Sequence, residues 1–453
     1  MTPLFTQIHL VGVGGVGMSA LAEILLGSGC RVSGSDRFLD RNPRPPVFDH
    51  LAAAGVELFP QDGSGIRPDC SCVGLSTAIE AGNPDLEAAL QKKIPILHRA
   101  EILARLTEGH SSIAVAGTAG KTTVTGMLGW IFEYAGRDPT VINGGALLDW
   151  VSDRRTGNTR LGRSDWWIFE ADESDRSFLR YSPDWALVTN LSKDHFEWSE
   201  TVPLFREFAK KIRRGILAGP DAAERIGGEI CQAIAFETGD PILTAHGCRF
   251  QYAGSEFRIP LAGRHNAENA LLAAAMARET GIPPEQAALA LKSFRGIARR
   301  MERVSTPDAA VAVFDDMAHN PAKIRAAWTA VAQERSPVTG IWRPHGFGPL
   351  SLMFNELVET FDALLSNGGR LFLLPVFYAG GTARGTQTSE DLARALQNRG
   401  RPVEAVADQE AETRLQNTLT PGSALLILGA RDPALPELAR RCARFFETRF
   451  PTS

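Results

Sequence analysis

Short apolar runs recur along the chain, each closed by glycine or an acid and followed by a helix-forming stretch. The first are Ile8–Val11, Cys30–Ser33, Cys72–Leu75 and Ile94–Leu97. They continue with Ile113–Ala116, Thr140–Ile142, Trp166–Phe169 and Trp185–Val188, and later with Val311–Phe314, Gly340–Arg343, Leu371–Leu374 and Ala424–Leu428. Near-continuous apolar runs of this length are what strands buried on both faces look like, so they predict parallel sheets covered by helices. Strand and helix alternating three times over predicts an α/β chain. A chain of 453 residues suits about three domains. The linker Gly109-His110 and the turn before Phe294 set the expected segments at 1–108, 109–295 and 296–453. The expected architecture is a Rossmann-like first domain, a P-loop ATPase-like central domain and a Rossmann-like third domain. No fixed-period repeat and no low-complexity stretch interrupts it.

The most informative stretch is Ser112–Leu128. A strand breaks into Gly117-Thr118-Ala119-Gly120-Lys121-Thr122-Thr123 and continues as a helix. Such a turn aims backbone N–H groups and the positive helix end at one point, which suits a nucleotide polyphosphate. Lys121 is placed to reach the β- and γ-phosphates, and the Thr122 hydroxyl to hold Mg²⁺. The first glycine of the longer G-x-x-x-x-G-K-[ST] pattern is replaced by Val115, so the match is to the shorter G-T-x-G-K-T-T form.

A second glycine turn, Gly12-Val13-Gly14-Gly15-Val16-Gly17, lies between the first strand and its helix, and Asp36 ends the next strand. This is a dinucleotide fingerprint with the acid on a ribose. The chemistry asks only for a diphosphate on a helix N-terminus, so NAD and a UDP-sugar fit equally.

Trp166–Phe169 delivers Glu170, Asp172, Glu173 and Asp175 to its end. Downstream of a phosphate loop, Asp172 and Glu173 are the expected Mg²⁺ ligands. His195 follows the next strand, at the carboxyl edge where ligands gather in such sheets. Phe205–Ile216 reads as a basic amphipathic helix whose Lys210 and Lys211 are most simply a solvated face. Gly263 opens a long alanine-rich helix on which Asn266 and Asn269 share a face. They suit an adenine edge or, alternatively, an N-terminal cap. In the third segment Arg299-Arg300 precede a strand ending in Asp315-Asp316, with His319 just beyond.

Composition narrows the class without changing it. Hydrophobic content of 44% and charged content of 22% are those of a globular protein, and a net charge of −4 gives no reason to expect nucleic acid. No apolar run is long enough to span a bilayer, and the N-terminal stretch has no basic region of a signal peptide. The 6 cysteines are scattered, as reduced thiols in a cytoplasmic protein would be.

Taken together, these motifs resemble the Mur ligase family, the ATP-dependent ligases that build the peptide of peptidoglycan precursors, and among them the alanine-adding branch. The resemblance runs over essentially the whole chain. It is carried by IHLVGVGGVGMSALAEILL, NPDLEAALQKKIPILHRAEILARL, IAVAGTAGKTT, EADESDRSFL, GRHNAENALLAAA, RRMERV and DDMAHNP. It implies a UDP-N-acetylmuramate-type substrate on the first domain, with its diphosphate on Gly12, Gly14, Gly15 and Gly17, its ribose near Asp36, and Ser76 alongside. It implies ATP on Gly117, Thr118, Gly120, Lys121, Thr122 and Thr123, the adenine at Asn266 and Asn269, and Arg300, Asp316 and His319 closing from the third domain. Thr122 and Glu173 would hold one Mg²⁺ and His195 a second, making Lys121, Glu173 and His195 the catalytic set. The implied reaction activates the substrate carboxylate as an acyl phosphate, which the amine of an amino acid then attacks. A monomer or dimer is expected.

The sequence departs from that family in places. Ala119 replaces a histidine. After Pro344-His345 the alanine-adding pattern has two arginines, and Gly346-Phe347-Gly348-Pro349 stand here; a later Ala-Gly-Glu is Ala379-Gly380-Gly381. A bidentate carboxylate clamp is thereby lost. Either other groups such as Arg343, Arg384 or Arg431 hold the amino acid, or the acceptor is a different amino acid or a peptide. A relative that binds nucleotides without chemistry is the third alternative. The spacing of Lys210 from His195 also resembles that of a carbamylated lysine in several family members.

Overall fold

A computed structural model describes residues 4–40, 44–152, 155–191, 198–244, 247–377, 386–430 and 432–451. Two compact units divide the chain, Met1–Ile297 and Ala298–Ser453.

The first unit begins with strands β1 (Gln7–Val11), β2 (Arg31–Ser35), β3 (Glu57–Phe59), β4 (Cys72–Leu75) and β5 (Ile96–His98). They form one parallel sheet in the order β3-β2-β1-β4-β5. The helices are α1 (Val16–Gly27), α2 (Pro46–Ala54), α3 (Pro84–Gln91) and α4 (Arg99–Thr107). The strands are added outward in opposite directions from β1, with β2 and β3 on one side and β4 and β5 on the other, so the crevice at the carboxyl ends of β1 and β4 lies between the Gly12–Gly17 turn and Ser76. Asn83 caps α3 by accepting from Asp85 N at 3.0 Å, with Pro84 in the first turn where its missing N–H costs nothing.

The second sheet of this unit contains β6 (Ser111–Ala116), β7 (Thr140–Ile142), β8 (Thr159–Arg160), β9 (Trp166–Glu170), β10 (Trp185–Val188), β11 (Gly215–Ala218) and β12 (Cys231–Ala233). Their order is β12-β11-β10-β6-β9-β7-β8, and all pairs are parallel except β7 with β8. The phosphate-loop strand β6 therefore sits between β9 and β10, and three strand ends converge where the loop begins. Helix α5 (Lys121–Tyr134) follows β6, α6 (Trp198–Ala209) precedes β11, and α7 (Pro220–Ile226) follows it. An antiparallel sheet of β13 (Ile242–Thr244), β14 (Gly247–Tyr252) and β15 (Ser255–Ile259) precedes α8 (Arg264–Glu279) and α9 (Pro284–Lys292). One apolar cluster continues from the first sheet to the second, joining Leu21, Leu25 and Ile102 with Trp167, Phe169 and Phe178. That continuity makes the two sheets one unit.

The expected basic helix over 205–216 is not what forms. Helix α6 ends at Ala209, Lys210 and Lys211 lie in the turn after it, and Gly215–Ala218 is a fully buried strand. Gly-Ile-Leu-Ala is the continuous apolar run of a parallel strand, and the charges at 210–214 separate it from the helix. Arg213 N donates to Pro183 O at 3.1 Å, which ties this turn to the start of β10. Exposed Lys210 thus belongs to the sheet edge opposite the phosphate loop, which removes the case for its carbamylation.

The second unit holds β16 (Glu302–Arg303), β17 (Ala312–Asp316), β18 (Val338–Trp342), β19 (Arg370–Leu373), β20 (Val403–Ala405) and β21 (Ala424–Leu428), ordered β16-β17-β21-β18-β19-β20. Its helices are α10 (Pro321–Glu334), α11 (Phe347–Leu365), α12 (Ser389–Gln397), α13 (Asp408–Thr418) and α14 (Leu435–Arg449). The Gly346–Pro349 segment that departs from the family pattern opens α11, a helix of 19 residues. Among the described residues no helix is long and apolar enough to cross a membrane.

Candidate nucleotide and substrate sites

Gly120 adopts φ 84° at the start of α5, and a Cβ there would lie 2.6 Å from Asn269 Oδ1. Gly117 has φ 126°, and a Cβ there would lie 2.1 Å from Thr189 Oγ1. Both positions therefore need glycine on two grounds, backbone conformation and space. Between them the loop is laced to the end of β10. Thr118 Oγ1 donates to Asn190 Oδ1 at 2.8 Å and Ala119 N donates to the same oxygen at 3.1 Å. Asn190 Nδ2 and Thr189 Oγ1 donate back to Ala119 O at 3.0 and 2.5 Å. The loop's shape is set before any ligand arrives.

Lys121 Nζ donates to Gly117 O at 2.7 Å and to Glu173 Oε2 at 2.7 Å, and lies 3.9 Å from Asp172 Oδ1. Glu173 is buried, and burial pushes its carboxyl above the ordinary value while the Lys121 ammonium pulls against that. Its Oε1 is buried without a hydrogen bond among the described residues. A buried carboxylate oxygen of this kind asks for a cation. Thr122, also buried, lies in the first turn of α5 with Thr123 beside it. This donor set fits Mg²⁺, whose preferred ligands are hard oxygens.

Helix α8 brings Asn269 to the phosphate loop, buried and against Gly120. Asn266 instead ties down the turn before the helix, with Nδ2 donating to Ala262 O at 2.7 Å. Gly263 is the N-cap and no side chain caps it, so neither asparagine has the capping role. His195 lies outside the described residues, as do Arg384, Arg431 and Ala379-Gly380-Gly381.

In the first sheet, Gly12 N and Val13 N donate to Ser35 O at 2.8 and 3.0 Å. Gly14 N donates to Asp36 Oδ2 at 3.0 Å, and Phe38 N to Asp36 Oδ1 at 2.9 Å. Asp36 thus hangs the turn from β2, with one backbone donor on each oxygen. Gly15 N turns inward to Gly12 O at 3.1 Å, which leaves the first turn of α1, at Val16 and Gly17, as the outward-facing donors.

Arg99 is a residue that motif reading passed over. Its Nη1 lies 2.9 Å from where a Cβ on Gly17 would be, and its Nη2 lies 3.9 Å from Asp172 and 3.8 Å from Asp175. The guanidinium thus stands between the glycine turn of the first sheet and the acidic loop of the second. Its signal was available: a basic residue directly after β5, at the same carboxyl edge as the turn. Asn190 was equally readable as a polar residue ending β10.

The second unit has its own buried charges. Arg299 Nε lies 3.1 Å from Asp315 Oδ2, and burial pushes the Asp315 carboxyl up to about 6 despite that cation. Asp316 accepts from Met301 N and Ala318 N, both at 2.7 Å, and so fixes the turn carrying exposed Arg300. Arg299 and Met301 hold φ of 61° and 49° in that turn. His319 Nδ1 donates to Met317 O at 2.9 Å, and its ring stands edge-on to His345 at 4.9 Å. Arg343 is buried, with Asp432 at 2.8 Å, Asp408 against it and Pro375 O accepting at 3.2 Å.

A glycine loop between strand and helix, a lysine–acid pair brought together beyond the ends of adjacent strands, and a second glycine-turn sheet define an α/β nucleotide-binding protein. Residues 7–111 match the model of the Mur ligase catalytic domain, 115–212 the Mur ligase middle domain, and 299–431 the glutamate ligase domain of Mur ligases. The chain is 33% identical to UDP-N-acetylmuramate–L-alanine ligase of a Synechococcus species, over 95% of this chain and 91% of that one. With the enzyme of the same name from Anaeromyxobacter dehalogenans it is 34% identical, over 95% and 97%. The solved UDP-N-acetylmuramate–alanine ligase of Thermotoga maritima shares the fold at TM-score 0.80 and 22% identity, covering 98% of this chain and 99% of that one. A murein peptide ligase from Psychrobacter arcticus shares it at TM-score 0.70 and 21% identity, covering 97% and 98%. The chain belongs to the Mur ligase family, and has its three-domain α/β fold.

Proposed function

We propose that this protein joins an amino acid, L-alanine in the first instance, to the carboxylate of UDP-N-acetylmuramate at the expense of ATP, in the cytoplasm, during peptidoglycan precursor synthesis. The observation that carries the reading is Lys121 held between the phosphate loop and Glu173, whose second oxygen is unsatisfied. The relatives named above act on the same sugar nucleotide and amino acid by name.

In this reading segments 1–108, 109–295 and 296–453 bind the sugar nucleotide, ATP and the amino acid respectively. The N–H groups of Val16 and Gly17 receive the diphosphate, with Arg99 beside them and Ser76 across the crevice. Gly117–Thr123 cradle the triphosphate, Asn269 meets the adenine side, and Lys121 turns from Glu173 to the phosphates. Glu173 Oε1 and the Thr122 hydroxyl are the groups that would hold Mg²⁺, with His195 for a second ion. The metal's contribution is neutralisation of phosphate charge. A carboxylate oxygen of the sugar attacks the γ-phosphorus, ADP leaves, and an acyl phosphate forms. The amine nitrogen then attacks the acyl carbon, inorganic phosphate leaves, and the nitrogen loses a proton as the amide forms. Lys121 serves the first step by offsetting the repulsion between two anions.

One observation bears on how the acceptor carboxylate is held. Arg343, the described arginine nearest the altered segment in sequence, is already neutralised by Asp432 and Asp408. Phosphate release with ATP, Mg²⁺ and UDP-N-acetylmuramate against a panel of amino acids and short peptides decides the matter. Turnover with alanine supports the main reading, turnover with a peptide alone the recycling type, and none with any acceptor a nucleotide-binding relative without chemistry.

A further inference from the structure

The middle strand of the first sheet carries a histidine at its centre. His9 has no exposed surface, and neither does Asp85 in the first turn of α3. An inner parallel strand is ordinarily apolar, and a polar chain in a core costs desolvation unless every member is bonded. Here the bonds form a directed line. Ser35 Oγ donates to Asp85 Oδ2, and Gly63 N donates to Asp85 Oδ1 at 2.7 Å. Because Ser35 spends its proton on the carboxylate, its oxygen must accept from His9 Nε2, 3.3 Å away. A neutral ring then carries its proton on Nε2, and Nδ1 accepts from Ser33 Oγ at 2.9 Å, a closer acceptor for that hydroxyl than Ile8 O at 3.5 Å. The ring has no room to swing, since a Cβ on Gly65 would lie 2.5 Å from its Cε1.

The line ends at the substrate turn. Ser35, whose side chain it fixes, is the residue whose carbonyl accepts from Gly12 N and Val13 N. The next residue, Asp36, holds Gly14 N. The β2 end also packs closely on the turn: a Cβ on Gly34 would lie 2.7 Å from Val13 Cβ. Three backbone donors of the glycine turn thus hang on two residues, one of them clamped from below by α3.

We propose that the buried line Asp85–Ser35–His9–Ser33 positions the Gly12–Gly17 turn, and so sets the affinity of the first domain for the diphosphate of a uridine nucleotide. These are positioning residues and touch no substrate. The inference rests on the reading of that turn as the diphosphate cradle.

The line also predicts which change it tolerates. Asparagine at position 85 can accept from Gly63 N and donate to Ser35 Oγ. Ser35 then donates to His9 Nε2, and the histidine proton moves to Nδ1 and points at Ser33. The line runs backwards but stays closed. Alanine at position 35 breaks it and strands both neighbours.

The test uses the full chain, UDP as probe, and a non-hydrolysable ATP analogue as control. Ser35→Ala is expected to weaken UDP binding about tenfold while the ATP analogue binds within about twofold of the parent. Asp85→Asn is expected to keep UDP binding within about threefold, with the ¹⁵N shifts of the His9 ring exchanging their protonated and unprotonated nitrogens. UDP binding by Ser35→Ala equal to the parent, or a His9 ring that keeps its proton on Nε2 in Asp85→Asn, overturns the inference. Should Ser35→Ala not fold, the ring signature in Asp85→Asn decides alone. Failure of the parent chain itself to bind UDP would instead remove the diphosphate reading.

Discussion

Lys121 Nζ and Glu173 Oε2 lie 2.7 Å apart, with the lysine 14% and the glutamate 2% exposed. The pair keeps the ammonium inside the loop, bonded to Gly117 O, until phosphate oxygens compete for it. Removing Lys121 leaves Glu173 buried without its counter-charge, and removing Glu173 leaves Lys121 only the longer contact with Asp172 at 3.9 Å. Lys121→Ala and Glu173→Gln are each expected to lower kcat at least about 10²-fold, the scale for losing one preorganised charged group at a transition state. Phosphate release measures this, and UDP binding at the other sheet should stay at the parent value. Activity within a few fold of the parent in Lys121→Ala would remove the mechanism.

Asn190 shapes the phosphate loop through three side-chain hydrogen bonds, two accepted and one donated. Asn190→Ala should raise the KM for ATP about tenfold or more, since a loop that must be ordered on binding costs affinity. Thermal unfolding should move only a few degrees. Gly120→Ala should do more, because both its φ and Asn269 oppose the methyl. Adding Asn269→Ala to it would relieve the clash and leave the φ strain, so rescue should be partial.

Arg343 separates two accounts of the acceptor site. It neutralises Asp432, which is 4% exposed, so Arg343→Ala should destabilise the second unit by about 3–5 kcal/mol. A melting-temperature drop with no selective rise in acceptor KM is the expected result. The opposite pattern, an unchanged melting temperature and a raised acceptor KM, would make Arg343 the carboxylate clamp after all.

Asp315 carries a pH signature. Its carboxyl is pushed up to about 6 from an ordinary value of 3.8, burial being the first cause. The folded chain therefore keeps this proton over a range where the unfolded chain has lost it. By linkage the residue's contribution makes the protein less stable as pH rises from about 4 to about 6, and flat above. Asp315→Asn should remove that slope, read as the difference in unfolding free energy between the variant and its parent across the interval. An identical slope in both would mean the proton is shared elsewhere.

Much of the skeleton could be read from the chain. Ala424–Leu428 forms the strand its apolar run predicts, to the residue. Periodicity sees burial, and parallel strands are buried throughout. It failed where two elements abut, as at 205–216, because a helix end and a buried strand share one hydrophobic rhythm across a charged turn. It also passed over α11, whose Gly-Phe-Gly-Pro opening looks like a break although proline is tolerated in a first helical turn. Site residues in contiguous motifs were legible. The jobs of Asp36 and Asp316 as holders of backbone turns were not, because each depends on which N–H groups the fold brings near. Arg99 escaped for the same reason, since its neighbours Gly17, Asp172 and Asp175 are close only in space.

The lacing of the phosphate loop has a consequence for how the protein comes into being on the ribosome. Thr118 is bonded to Asn190, 72 residues later, and Gly120 packs on Asn269, later still. A nascent chain that has released only the glycine loop holds no nucleotide cradle. Neither the β10 end nor α8 has yet left the exit tunnel. Nucleotide capture is thus deferred until the segment carrying Asn269 has emerged, and any fragment ending before Asn190 should remain blind to ATP.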